Sequence, residues 1–128
     1  MVDFTIIDKI LDDFIKDKPF VKLSKDAKSD WFNFEYRKIE WTSNGVNNHI
    51  EIFPGLEPGN SFMSWNLCGI LWYDEGNKRF HRRITQLKEV TLNTVEKSLK
   101  QKLSTAFVEM NSFETKDLIE FTEFKSIS

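Results

Sequence analysis

Residues 62–84, F-M-S-W-N-L-C-G-I-L-W-Y-D-E-G-N-K-R-F-H-R-R-I, constrain this chain more than any other stretch. A dense apolar run meets the turn candidate Asp74-Glu75-Gly76-Asn77. A basic segment follows in which apolar and polar residues alternate. This pattern predicts a β-hairpin: a buried strand, a tight reversal, and a partner with one apolar and one polar face. Apolar residues of both parities in 62–73 predict a central strand covered on both faces. In residues 78–86, Phe80, Arg82 and Ile84 share one face, and Arg79, His81, Arg83 and Thr85 share the other.

Helical periodicity brackets this hairpin. Phe4, Ile7, Ile10, Leu11, Phe14 and Ile15 recur at helical spacing and predict an amphipathic helix over residues 3–16. Asp3 is its N-cap candidate, Lys16 and Lys18 lie towards its negative end, and Pro19 ends it by residue 18. From Leu92, a stripe of Leu92, Val95, Leu99, Leu103, Ala106, Phe107 and Met110 predicts a second, longer helix. Its start is signalled by Asn93 with Glu96, or by Thr91 with a Val90–Val95 staple.

Between the first helix and the hairpin, residues 19–30 read as a loop or a short extended piece. Residues 31–41 read as a strand whose parity changes, which a bulge near Arg37–Lys38 or coverage of both faces would accommodate. Ser43-Asn44-Gly45 is a turn signal. Residues 46–53 answer as a strand with Ile50 and Ile52 inward and His49 and Glu51 outward. Residues 54–60, with two prolines and two glycines, read as a stiff loop suited to recognition, Leu56 at its tip. Residues 113–124 fit a short helix capped at Ser112 slightly better than an edge strand.

The expected architecture is therefore one α+β domain over residues 1–128. It consists of a four-stranded, mainly antiparallel sheet with an N-terminal helix and a long C-terminal helix packed on it. Composition agrees: 40% hydrophobic and 14% aromatic residues, with twelve Phe and four Trp, suffice for a core. The net charge of −2 gives no overall basic field, which disfavours nucleic acid without excluding a local patch. Cys68, the only cysteine, cannot form an intrachain disulfide and reads as core filler. No apolar run approaches the ~20 residues that cross a bilayer, and residues 1–8 do not resemble a signal peptide. These features point to a cytoplasmic protein without membrane association.

Two groups of residues are candidate sites. Asp8, Asp12 and Asp13 project from the first helix, and with Leu56 they form a candidate protein-binding surface. Arg79, His81 and Arg83 alternate along one strand and would hold an anionic ligand. With Trp65, Trp72 and Tyr73 nearby, the basic strand also suits single-stranded nucleic acid. His49 and His81 lack metal-ligand spacing, and Ser61 and Ser64 lack a nucleophile-elbow context. We therefore expect no cofactor, no metal and no catalytic residue. The leading functional expectation is a non-catalytic protein-binding domain that occludes a partner, an immunity-type inhibitor being one example. A small anionic-ligand-binding protein or enzyme, with its pocket between sheet and helix, stands second. Nucleic-acid binding stands third.

Overall fold

The structure, a computed structural model, describes residues 3–28, 35–57, 61–84, 90–91 and 95–120. In chain order these form α1 (Thr5–Ile15), β1 (Lys22–Lys28), β2 (Glu35–Ser43), β3 (Val46–Glu57), β4 (Ser61–Glu75), β5 (Lys78–Ile84), β6 (Val90–Thr91), α2 (Val95–Asn111), and β7 (Ile119–Glu120) after a short 3-10 turn, Thr115–Asp117. Among the described residues the sheet has seven strands rather than the four expected from the sequence. Six run in the order β1-β2-β3-β4-β5-β7, with β6 attached to β4, and every pairing is antiparallel.

The extra strands come from segments with weak patterns. β1, K-L-S-K-D-A-K, takes the extended form, one of the two readings of residues 19–30, and carries three lysines along an edge, where charge discourages pairing with another chain. The bulge expected in β2 lies in β1 instead, between Ser24 and Ala27, while β2 pairs with β3 without a break from Arg37 to Ser43. β3 continues to Glu57, so most of the expected stiff loop is a strand facing β4. Pro54 is tolerated because it lies past Ile52, the last residue of β3 paired with β2. The tail forms the 3-10 turn and β7 rather than a helix capped at Ser112. There Glu114 and Asp117 close a reciprocal capping box, and Leu118 next to it is extended and buried. Residues 92–94 and 121–124, which carry part of the expected helix start and tail, lie outside the described residues.

Both tight turns follow from their sequences. Asn44 and Gly45 adopt positive φ of 54° and 75°, which suits the two-residue turn joining β2 to β3. Gly76, with φ of 63°, begins the two-residue turn between β4 and β5. The first turn is also tied to α2. The Asn44 side-chain amide donates to the backbone carbonyls of Asn111 (2.9 Å) and Phe113 (3.2 Å), and the Trp41 indole donates to Asn111 Oδ1 (2.7 Å). The bond to the Asn111 carbonyl satisfies one of the acceptors that the end of a helix leaves open.

Both helices lie on one face of the sheet. Ile7, Ile10 and Leu11 of α1, and Val95, Leu99, Leu103, Ala106 and Met110 of α2, are buried against Ile39, Trp41, Ile50, Ile52, Leu67, Leu71 and Ile84. Each Val, Leu, Ile or Met side chain among these contributes about 1.5–3 kcal/mol relative to exposure, so this layer dominates stability. Lys18 supplies the positive charge expected at the end of α1: its ammonium donates to the Phe14 carbonyl at 2.9 Å and lies 4.2 Å from the centre of the Phe14 ring.

Among the described residues, β4 carries a helix on one face alone. Trp65, Leu67 and Leu71 point under the helices, whereas Cys68, Ile70 and Trp72 are half-buried on the other side.

Candidate functional site

The helix-free face of the sheet follows from the alternation of its strands. Register places residues from six strands in rows across it. Thr42, Asn47, Trp72, His81 and Ile119 form one row; Lys22, Glu40, His49, Ile70 and Arg83 form the next; Ser24, Lys38, Glu51 and Cys68 form a third. Trp72, Ile70 and Cys68 form a half-exposed apolar line along β4.

Charged side chains on this face largely pair with one another. Lys38 lies 3.9 Å from Glu40, and His49 Nε2 lies 3.4 Å from Glu51. Arg79 donates twice to Asp74, at 2.7 and 3.0 Å, and its guanidinium lies 4.3 Å from the centre of the Trp72 ring. Such pairs fix side-chain positions more than they add stability at an exposed surface.

The Arg79 bonds hold the Asp74 carboxyl below the usual carboxylate range. A carboxyl with a lowered folded value contributes above its unfolded value and loses that contribution as pH falls through the folded one. The Trp72 indole resonance is therefore expected to stay constant as pH drops through the ordinary carboxylate range, and to move only below it. Asp74→Asn should produce the shifted position at neutral pH. A Trp72 resonance that titrates with ordinary carboxylates would contradict this arrangement.

The three residues expected to form an anion site share this face. Arg79, His81 and Arg83 follow one another at spacings of ~7 Å, but Arg79 is occupied by Asp74. His81 lies between Trp72 and Ile119. Arg83 stands beside Cys68. Burial pushes the Cys68 thiol up, Arg83 opposes that shift and Glu51 adds to it, so the sulfur remains a thiol rather than a nucleophile.

Of the aspartates expected to form an acidic surface, Asp8 is partly buried, whereas Asp12 and Asp13 are exposed. Asp8 accepts two bonds from Arg37, at 2.7 and 3.3 Å, beneath the helix. Asp12 turns towards β1 and pairs with Lys25 at 3.0 Å. Asp13 lines grooves of about 410 and 570 Å³ with Ile10, Lys16 and Lys100, and Asp12 also borders the smaller one. Leu56 is described in its backbone alone, as part of β3.

Between the sheet and α2, the space expected to hold a pocket is filled by Leu71, Leu99, Leu103 and Met110. A trough of about 370 Å³ lies across the β2–β3 hairpin, lined by Phe20, Glu40, Thr42, Asn47, His49 and Trp72 among others. Sequence reading places His49 outward, leaves open whether Trp72 lies inside or outside, and does not join either to Phe20 and Glu40. The outward parity of Glu40, Thr42, Asn47 and His49 was the available signal. Among the described residues, no group of three His, Cys, Asp or Glu is placed to hold a metal ion. None of the described helices is long and apolar enough to cross a membrane.

Fold and site together define an α+β domain in which one antiparallel sheet carries both helices on one side and a mixed aromatic and charged surface on the other. No family model matches the chain, and neither a curated protein nor a solved structure matches it.

Proposed function

We propose that the chain is a non-catalytic protein-binding domain whose contact surface is the helix-free sheet face. The observation that carries this reading is the half-exposed line of Cys68, Ile70 and Trp72, framed by the Asp74–Arg79 pair and by the polar side chains of Lys38, Glu40, His49 and Glu51. Aromatic and aliphatic anchors within a polar rim are the usual source of protein–protein affinity. Side chains already held by neighbours lose little further freedom on binding. The partner's function would be blocked by occlusion, as an immunity-type inhibitor does, with the sheet face in place of the first helix as the contact.

The test places a large charge at the centre of this face. Ile70→Arg should abolish a stoichiometric complex with the native partner while leaving the fold intact, as judged by amide spectra. Val108→Arg, on the exposed side of α2, should leave the complex unchanged. A complex that survives Ile70→Arg but is lost on Val108→Arg would overturn the proposal.

A further inference from the structure

We infer that the trough across the β2–β3 hairpin receives an arginine side chain of the partner protein; this rests on the protein-binding reading above. Thr42 and Asn47 are opposed residues of the hairpin and form its small polar floor, with Thr42 Oγ1 and Asn47 Oδ1 3.4 Å apart. Phe20, 60% exposed, and the half-exposed Trp72 supply aromatic surfaces on either side. Glu40 supplies the charge. Among the described residues its carboxylate meets one cation, Lys38, at 3.9 Å, too long for a hydrogen bond. Its side chain is 36% exposed, so the carboxylate oxygens remain able to accept from outside.

A carboxylate beside aromatic rings suits a planar cation. Guanidinium donates in a fork to the two oxygens and stacks on a ring, whereas ammonium does neither as well. The protein uses this combination twice within itself. Arg37 donates to both oxygens of Asp8 while its guanidinium lies 3.8 Å from the centre of the Phe4 ring. Arg79 donates to both oxygens of Asp74 while stacked 4.3 Å from the centre of Trp72. In the trough, Glu40 with Phe20 and Trp72 presents the same pairing of acid and aromatic surface to an outside donor. Charge and shape therefore favour arginine over an acidic or purely apolar anchor. Lys38 acts as the internal competitor for Glu40.

The test is an NMR titration of the full chain with acetyl-Gly-Arg-Gly-amide, read at the Thr42 and Asn47 amides and the Trp72 indole. Saturable shifts are expected, at least fivefold weaker binding in Glu40→Gln, weaker binding in Phe20→Ala, and tighter binding in Lys38→Met. The citrulline peptide, isosteric but uncharged, should bind at least fivefold more weakly. Both Glu40→Gln and Phe20→Ala alter surface side chains; either one that keeps the native spectrum suffices. Absence of saturable shifts, equal binding of the citrulline peptide, or equal binding by Glu40→Gln would overturn the assignment. Equal binding of the lysine peptide would overturn the choice of arginine. A native complex sensitive to Ile70→Arg but indifferent to Glu40→Gln would reject the trough while keeping the protein-binding face. Arginine-peptide binding with a complex indifferent to Ile70→Arg would do the reverse.

Discussion

Asp8→Ala is expected to destabilise the fold by about 2–4 kcal/mol, measured as a lower urea midpoint with an unchanged slope. Its partner explains the size. Arg37 is 7% exposed, lies over the Phe4 ring, and receives its close charge compensation from Asp8. Glu35 stands 3.9 Å from Nη1 and cannot replace those bonds. Removing Asp8 leaves a nearly buried guanidinium with too few acceptors, which costs more than the pair itself contributes. The Asp8 side chain retains 26% exposure, so water recovers part of the loss. Two controls separate this mechanism from loss of helix. Asp12→Ala and Asp13→Ala, at exposed positions, should change stability by no more than about 0.5 kcal/mol. The double variant Asp8→Leu, Arg37→Met should recover most of the lost stability, because an apolar pair removes the stranded charge. A double variant no more stable than Asp8→Ala would show that the ion pair is not the source of the cost.

Gly69→Val is expected to cost about 3 kcal/mol, the upper part of the usual range for overpacking a filled core. Gly69 shares its inward parity with Trp65, Leu67 and Leu71, and α2 closes on the sheet where that row lacks a side chain. A Cβ there would lie 3.0 Å from Met110 Sδ and 3.2 Å from Ile84 Cβ. Methionine can swing its thioether away, but the branched Ile84 lies directly across the ladder and has little room to shift. Gly69→Ala should therefore cost less than Gly69→Val, and both should lower the thermal midpoint. A Gly69→Val protein as stable as the parent would mean that α2 does not approach the sheet this closely.

These two sites mark the limit of what was legible in the sequence. The periodic stripes located α1 and α2, the turns at 44–45 and 76–77 set the two hairpins, and alternation assigned the faces of β3 and β5. β1 stays open between strand and loop in the sequence because an edge strand needs little apolar patterning, and K-L-S-K-D-A-K has little. The extension of β3 through Pro54-Gly55 escaped because those residues are normally punctuation; only the end of its pairing with β2 makes room for proline. Gly69 within an apolar strand was a usable sign of close backbone approach that the apolar run obscured. The engagement of Asp8 was hidden for a different reason. Spacing along α1 places Asp8 and Asp12 one turn apart, but Arg37 lies 29 residues beyond Asp8 and claims it through space. Periodicity likewise leaves open which side of the sheet the helices choose, and that choice made the Arg79-His81-Arg83 side the open one.

The placement of both helices has a consequence for biosynthesis. The meander β1-β2-β3-β4-β5 is complete before α2 has been synthesised, and each strand can pair with its predecessor as it emerges. Ile39, Trp41, Ile50, Ile52, Leu67 and Leu71 then form a largely uncovered oily layer, shielded only by the single early helix, until residues 95–111 leave the ribosome. The nascent chain is accordingly most vulnerable to self-association, and most attractive to a holdase chaperone, during that late interval of translation.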